Sequence, residues 1–209
     1  MVGVDGTLLR AAEAATGFMP PTEGLALYET ALAAGSGVVL EVGTYCGKST
    51  LYLAAAARET SSTVVTVDHH RGSEENQAGW EYHDATLVDP ATGRLDTLPH
   101  LRRSLEAAAV EDVVVAVVGR SEQVGRIWST PAVMLFLDGG HSEEQAQADY
   151  EAWWPHVAPG GLLAIHDVFP DPADGGQAPF HVLERAVREG SFTETRTVGS
   201  LRVLRRTAP

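Results

Sequence analysis

The chain has little cysteine, little lysine and no long apolar run. Among 209 residues there is one cysteine, Cys46, so an internal disulfide cannot form and a reducing compartment, the cytoplasm, is expected. Lys48 is the only lysine. The apolar runs are far shorter than the roughly 18 residues of a membrane span. The first residues show no basic segment followed by an apolar one, so we expect neither a signal peptide nor a membrane partner.

Positive charge is scarce as well. Lysine and arginine together number 15 against 28 aspartate and glutamate residues, which gives a net charge of −13. No basic stretch is large enough to follow a phosphate backbone, so nucleic acid is not an expected partner. The apolar share of 44% and the charged share of 21% are ordinary for a globular protein. We expect a single domain over residues 1–209.

Short β-branched runs alternate with Ala- and Leu-rich stretches. Five runs are apolar on both faces, which is typical of a parallel sheet covered by helices on both sides. These predicted strands are Val38–Val42, Thr63–Asp68, Val113–Val118, Val133–Asp138 and Leu162–Asp167. Helices are predicted over residues 23–34, 48–59, 98–109, 121–128, 142–157 and 180–189.

The ends of two elements have clear local signals. Ser142, with Gln145 three residues on, predicts a capping-box start for the fifth helix, and Pro159-Gly160-Gly161 predicts its end. Gly199-Ser200 predicts a tight hairpin between two closing strands, 192–198 and 201–205. The expected fold class is therefore α/β, with a doubly wound seven-stranded sheet that is mostly parallel and closes with an antiparallel hairpin.

Residues 69–97 interrupt this alternation with a long polar excursion. Such loops are usually functional or disordered, and its aromatic residues argue against disorder, so we expect an insertion near the active site or at a dimer contact. Within it, His69, Trp80 and His83 are candidate substrate contacts. Residues 1–22, which include Met19-Pro20-Pro21, are expected to form an N-terminal cap or lid.

A glycine loop follows the first strand and opens a helix, as in ligand-binding α/β sheets. Its sequence, Glu41 to Thr50, is EVGTYCGKST. A dinucleotide fingerprint is excluded because the three-glycine spacing is absent. A P-loop needs four residues between the first glycine and Gly47-Lys48-Ser49, and only three are present, so a P-loop nucleotide-binding protein is a weaker alternative. A tight turn without a ligand is another alternative.

The loop resembles E-x-G-x-x-x-G of the class I S-adenosylmethionine-dependent methyltransferases, in which an acidic residue such as Asp68 ends the second strand. Further similar segments follow in the family's order, across about residues 20–205: Gly119-Arg120-Ser121-Glu122, Leu137-Asp138-Gly139-Gly140-His141 and Pro159-Gly160-Gly161. The resemblance implies a Rossmann-like fold and S-adenosylmethionine as cofactor. It implies a cofactor site made of Glu41, Gly43, Thr44, Gly47, Ser49, Asp68, Ser121 and Asp138, with Asp68 on the ribose hydroxyls and Ser121 near the adenine.

Asp138 and Asp167 end neighbouring strands, so their carboxylates converge at one edge of the sheet, as Mg²⁺ ligands would. Here the chain resembles the metal-dependent small-molecule O-methyltransferases. Where catechol-type members have a lysine three residues after the strand-four aspartate, this chain has His141, which is more like the methyltransferases that act on sugar hydroxyls. The resemblance implies His141 as general base, since histidine has an unperturbed pKa close to working pH.

The chain also departs from the catechol-type pattern, because Val168 stands where a second oxygen ligand follows the strand-five aspartate. Candidates for the third ligand are His166, Asp171 and His69. His166 is also a candidate substrate contact, and a satisfied histidine at a strand end is the alternative interpretation. The expected function is Mg²⁺-assisted O-methylation of a sugar or short saccharide, such as a precursor of a polymethylated polysaccharide, by a homodimer. Alternatives are metal-independent methylation of a phenolic or amine acceptor and a non-catalytic cofactor-binding protein. Tyr150, Trp153 and Trp154 are predicted to be core.

Overall fold

A computed structural model describes residues 6–207, so residues 1–5 of the expected cap and residues 208–209 lie outside the described part. Within it, seven strands form one main sheet and two short strands form a separate hairpin. In chain order, the nine strands are β1 (Val38–Val42), β2 (Thr63–Asp68), β3 (Val88–Asp89), β4 (Arg94–Leu95), β5 (Val114–Val118), β6 (Ala132–Leu137), β7 (Val157–Ile165), β8 (Phe192–Val198) and β9 (Leu201–Arg206).

The main sheet has the strand order β5-β2-β1-β6-β7-β9-β8. The first five of these strands are parallel, and β9 runs antiparallel to both β7 and β8. This order confirms the predicted doubly wound sheet with its antiparallel closing pair. The strand order reverses between β1 and β6, which is where ligands bind in sheets of this kind.

Seven helices in residues 6–207 accompany the sheet. They are α1 (Gly6–Ala14), α2 (Pro21–Ala34), α3 (Lys48–Thr60), α4 (Leu98–Ala107), α5 (Ser121–Ile127), α6 (Glu143–Trp153) and α7 (Ala178–Arg188). None of the described helices is both long and apolar enough to cross a membrane. Helix α1 falls inside the expected N-terminal cap and was not predicted as a helix.

Alternate residues of each central strand pack on opposite faces of the sheet. On one face, Val39 and Met134 belong to a core shared with α1 to α4. On the other face, Leu40 and Leu135 pack with α6 and α7, where Trp153 is fully buried. Both faces are therefore covered, as the continuous apolar strands predict.

The predicted end of the fifth helix is wrong. Helix α6 begins after Ser142, whose side chain caps the backbone N–H of Gln145 as expected, but it ends at Trp153 rather than at residue 157. The reason is Pro155, which has no N–H to continue the helix and lies in a short 3₁₀ turn. Pro159-Gly160-Gly161 lies inside β7 instead, which begins five residues earlier than predicted.

The excursion at residues 69–97 is ordered by local contacts. It contains the β3–β4 hairpin and two 3₁₀ turns, Glu74–Asn76 and Ala85–Leu87. Leu87 and Leu95 are buried against Cys46 of the glycine loop, which fixes the excursion beside that loop.

Candidate active site

The glycine loop and the end of β6 meet at the point where the strand order reverses. Gly43 has φ +91°, and a Cβ atom there would collide with the carbonyl oxygen of Asp138. The backbone N–H of Asp138 in turn donates to the carbonyl of Val42 at 2.9 Å. Only glycine allows this close approach, so the two loops form one edge of a cleft.

Asp68 fixes the shape of the glycine loop. One carboxylate oxygen accepts hydrogen bonds from the backbone N–H groups of Thr44 and Tyr45, at 3.0 and 2.9 Å, and the other accepts from the N–H of His70 at 2.7 Å. Tyr45 and His70 both have positive φ, so the carboxylate stabilises two sharp turns. Asp68 also lines the cavity described below, and its contact with the ribose stays a prediction.

Glu41 supports the loop from behind. Its side chain is fully buried and accepts hydrogen bonds from the hydroxyls of Ser49 and Thr50, both at 2.6 Å. Burial raises the pKa of Glu41 to about 7, although these hydrogen bonds oppose the rise. Gly47 is buried too, with φ +94° at the start of α3. Glu41 and Gly47 therefore shape the glycine loop without lining the cavity.

A cavity of about 710 Å³ opens between the glycine loop, the strand ends and the excursion. It is large enough for a cofactor together with a small acceptor. The residues predicted from sequence that line it are Gly43, Thr44, Ser49, Asp68, His69, Trp80, Ser121, Asp138, His141, His166 and Asp167. His83 is not among the lining residues; its ring faces the carbonyl of Asn76 at 3.0 Å.

Asp138, His141 and Asp167 come together at the inner wall of this cavity. One ligand atom from each lies within 4.8 Å of the others. Asp138 directly follows β6, and Asp167 is the second residue after β7. Asp167 has φ +54°, a conformation unusual for a residue other than glycine. The convergence predicted from the ends of two neighbouring strands is thus present.

His141 is held between two carboxylates. Its Nε2 atom lies 3.2 Å from Oδ2 of Asp167, and its Nδ1 atom lies 3.2 Å from Oε2 of Glu75 in the excursion. Burial alone would lower the pKa of His141, but the hydrogen bonds to Asp167 and Glu75 raise it to about 10. In this arrangement the pKa of His141 lies well above its unperturbed value, because carboxylates face both ring nitrogens.

His166 lies behind the cluster and is nearly fully buried. Its Nε2 atom is 2.6 Å from Glu23 of α2, and its Nδ1 atom is 3.1 Å from Asp138 and 3.4 Å from Asp167. Burial would lower its pKa, but the charges and hydrogen bonds of these carboxylates raise the pKa to about 12. His166 is thus a satisfied histidine after a strand end, one of its interpretations from sequence.

The donor set of the cluster fits one divalent cation. Two carboxylates with oxygens facing a cavity are what Mg²⁺ prefers, and the third nearby ligand atom is a ring nitrogen of His141. His166, Asp171 and His69, the predicted third ligands, are not part of this group within residues 6–207. His141 was interpreted as a base alone because sequence spacing did not show that its ring reaches Asp167.

Ser121 lies at the opposite side of the cavity. Its hydroxyl accepts a hydrogen bond from the indole N–H of Trp153 at 2.7 Å. Asp149 lies beside it and accepts from the Gln145 amide at 2.9 Å. Burial raises the pKa of Asp149 to about 6, against hydrogen bonds from Ser121 and Gln145. Tyr150 and Trp153 are buried as predicted, and Trp154 is partly buried against the same core.

Aromatic rings line the mouth of the cavity. Phe18, just after α1, contacts Tyr45 of the glycine loop and Tyr82 of the excursion, with ring centroids 5.7 and 5.3 Å apart. Trp80 is half exposed on the same lining. The excursion thus covers the cavity of its own chain, and the homodimer expected from sequence stays a prediction.

Lys48 does not point toward a phosphate cradle. Its ammonium group donates to the carbonyls of Glu13 and Ala15, each at 3.4 Å, at the end of α1. This contact of Lys48 holds the N-terminal segment over the glycine loop. In a P-loop the lysine binds phosphate instead, so the contact argues against the P-loop alternative.

Two residues of the site escaped sequence analysis. Glu75 has no motif around it, and only its place in the long polar excursion marks it. Glu23 lies in the first turn of α2, where an acidic residue is ordinary because it complements the helix dipole. Neither position has a local signal for contact with a histidine far along the chain.

Comparison with known proteins gives a family. The pattern of a family described as "Methyltransferase domain" matches residues 40–168, which is more than half of the chain. The matched span runs from β1 to the residue after Asp167 and so includes the glycine loop and the acidic cluster.

Solved structures share the fold over nearly the whole chain. An O-methyltransferase from Bacillus cereus in complex with SAH has a TM-score of 0.65 at 20% identity, covering 99% of this chain and 93% of that one. TomG from Streptomyces achromogenes, an O-methyltransferase of tomaymycin synthesis in complex with SAM, has a TM-score of 0.66 at 19% identity, covering 100% and 92%. Cofactor-bound Rv0187 from MTB has a TM-score of 0.67 at 21% identity, covering 99% and 92%. At these identities the likeness is one of fold.

Proposed function

We propose, because this chain belongs to the methyltransferase domain family, that it transfers the methyl group of S-adenosylmethionine to a hydroxyl of a sugar or short saccharide, with a divalent cation, Mg²⁺, assisting. The observation that carries the proposal is the convergence of Asp138, His141 and Asp167 on one wall of a cavity whose other wall is the glycine loop.

The reaction is an in-line displacement. The acceptor oxygen attacks the methyl carbon, the bond between carbon and sulfur breaks, and the sulfur keeps the electron pair as S-adenosylhomocysteine forms. The hydroxyl proton passes to a base. The chain has to position the two reactants, exclude water and receive this proton. Thr44, Asp68 and Ser121 line the cavity and are the proposed cofactor contacts, and the mouth formed by Phe18 and Tyr82 would exclude water.

His141 is the proposed proton acceptor, because it lies within the cluster and its ring is fixed from both sides by Asp167 and Glu75. To accept a proton it must first lose the one that these carboxylates favour. Asp138 and Asp167 are the proposed cation ligands. A divalent cation there would lower the pKa of a bound hydroxyl and would also oppose the positive charge on His141.

A neutral, hydroxyl-rich acceptor suits the character of the cavity. Several carboxylates line it, among them Glu74, Glu75 and Asp174, and the chain carries a charge of −13. An anionic acceptor would be repelled, whereas sugar hydroxyls can donate hydrogen bonds to carboxylates. The exposed faces of Trp80 and Tyr82 can pack against the C–H face of a sugar ring.

One observation favours a second candidate, metal-independent methyl transfer to a phenol or an amine. The chain itself supplies positive charge to the cluster, since His141 lies between two carboxylates and His166 faces three. Such internal neutralisation reduces the need for a cation.

The test is titration calorimetry with S-adenosylhomocysteine, in EDTA and again in MgCl₂ with a panel of mono- and oligosaccharides. The proposal expects binding of the cofactor product in both conditions and a magnesium-dependent heat from one sugar. Methyl transfer that continues unchanged in EDTA would support the second candidate. No binding of S-adenosylhomocysteine in either condition would contradict both.

A further inference from the structure

Three charged side chains in contact, Glu23, His166 and Asp138, connect helix α2 to the cavity wall. Oε2 of Glu23 lies 2.6 Å from Nε2 of His166, and Nδ1 of His166 lies 3.1 Å from Oδ1 of Asp138. The side chains of Glu23 and His166 are only 7% and 4% exposed, while Asp138 is 21% exposed and faces the cavity. A carboxylate only accepts hydrogen bonds, so both ring nitrogens must donate and His166 is an imidazolium.

The hairpin turn between β8 and β9 is shaped to receive Glu23. The backbone N–H and the hydroxyl of Ser200 donate to its two carboxylate oxygens, at 2.9 and 3.0 Å. Gly199 has φ +55°, and a Cβ atom there would collide with Oε1 of Glu23. The glycine therefore leaves room for the carboxylate, which ties α2 to the end of the sheet.

The same turn holds the segment that carries Asp167. The carbonyl of Ser200 accepts from the N–H of Val168 at 3.0 Å, and His166 on the other side is held by Glu23. Asp167 between them has the left-handed φ of +54°, which persists only where the surroundings hold it. Both carboxylates of the cluster are thus anchored through Glu23 and the hairpin turn.

Stability alone does not account for this arrangement. A buried ion pair is often no more stabilising than a well-packed apolar pair, because both charges lose their hydration. The hydrogen bonds from Glu23 through His166 to Asp138 instead fix the orientation of the Asp138 carboxylate, because hydrogen bonds determine where a carboxylate points. Partners behind a metal ligand or catalytic carboxylate have this effect in other sites.

We infer that Glu23 and His166 are positioning residues that hold the Asp138 carboxylate toward the cavity. The inference rests on the proposed function for the role of Asp138 as a cation ligand. Neither residue touches the reacting atoms; both act through Asp138. Phe18 and Met19, a few residues before Glu23, line the same cavity.

The first experiment tests by NMR whether Glu23 acts on Asp138 through His166, without any cation or acceptor. In protein labelled with ¹⁵N at histidine, NMR should show both ring N–H groups of His166 protonated and protected from exchange with water, and His166→Asn identifies their signals. In Glu23→Gln we expect the Nδ1–H signal, which reports the contact with Asp138, to shift or broaden. An unchanged Nδ1–H signal would overturn the inference.

Two further variants make the result specific. Glu59→Gln is the control at an exposed position, because Glu59 accepts a hydrogen bond from the Tyr28 hydroxyl at 2.5 Å and lies outside the cavity lining. It should leave the His166 signals unchanged. Ser200→Ala removes a single hydrogen bond to Glu23 and should shift the same signal by less. If Glu23→Gln does not fold, the signal in Ser200→Ala decides.

The second experiment uses Mn²⁺ as the cation probe and calorimetry as the readout. Glu23→Gln should bind Mn²⁺ about tenfold or more weakly than the unaltered chain. Its affinity for S-adenosylhomocysteine in EDTA should stay within about threefold. Equal Mn²⁺ affinity in the two proteins would overturn the inference. If the unaltered chain binds no Mn²⁺, the cation in the proposed function is wrong, and the NMR result alone decides whether Glu23 positions Asp138.

Discussion

The Nε2 atom of His141 lies 3.2 Å from Oδ2 of Asp167, so the loops after β6 and β7 are joined by a contact between the proposed base and a proposed cation ligand. The other ring nitrogen faces Glu75. Because neither carboxylate can donate a hydrogen bond, the ring has to donate from both nitrogens. The protonation of His141 and the position of Asp167 therefore depend on each other.

Replacing His141 by glutamine should impair methyl transfer far more than binding of the cofactor product. A positioned general base contributes about a hundredfold or more to rate, so kcat should fall by at least that factor. The affinity for S-adenosylhomocysteine, measured by calorimetry, should change by less than about threefold. His181→Gln is the control, because His181 also pairs with a carboxylate, that of Glu143 at 2.8 Å, but lies outside the cavity lining. Equal rates for the two variants would exclude His141 as the base.

The contribution of His141 to stability should disappear at high pH. Its folded-state pKa is raised from 6.5 to about 10 against the effect of burial, so the folded chain binds the extra proton more tightly across this window. The stabilisation is fully present below about pH 6.5 and is lost as pH rises through 10. Urea unfolding in EDTA should show the free-energy difference between the unaltered chain and His141→Gln shrinking from pH 6 to pH 10. A difference that stays constant would contradict the raised pKa.

Glu41 should also make the fold less stable as pH rises, because its buried carboxyl group destabilises the fold when ionised. Burial raises its pKa from 4.5 to about 7, so the folded chain holds this proton more tightly and stability falls as pH rises between those values. The shift corresponds to about 3 kcal/mol. Glu41→Gln keeps an acceptor for Ser49 or Thr50 and cannot ionise. The free energy of unfolding of Glu41→Gln, relative to that of the unaltered chain, should increase as pH rises from 4.5 to 7. Curves of unfolding free energy against pH that stay parallel for the two proteins would refute this.

Gly43→Ala should abolish binding of S-adenosylhomocysteine and destabilise the chain. The added Cβ would strike the backbone of Asp138, and both loops are fixed by strand hydrogen bonds, so neither can move away cheaply. Gly190→Ala is the matched control, since Gly190 also has a positive φ, of +73°, but open space around it. The control should cost only about 1 to 2 kcal/mol of unfolding free energy and leave binding intact. Similar losses in both variants would mean that backbone strain, rather than the collision, decides.

Much of the fold follows from local pattern. The runs from Val38 and from Thr63 are apolar on both faces, which suits only strands buried between two helical layers, and both appear as predicted. The glycine loop was recognisable because a close backbone approach leaves a spacing of glycines in the sequence. The end of α6 was misplaced because two stop signals lay near each other, and Pro155 acts before Pro159-Gly160-Gly161 is reached.

The sequence by itself determined where the strands of the main sheet lie, apart from the start of β7. It also determined where the glycine loop lies and that Asp138 and Asp167 follow neighbouring strands. Only the tertiary structure decided what these residues face. Glu23 and His166 are 143 positions apart, and Glu75 and His141 are 66 apart. No local periodicity links such pairs, because their contact depends on how α2 and the excursion pack over the sheet. The pKa values of the site follow from that packing as well, since they are set by which charges burial brings together.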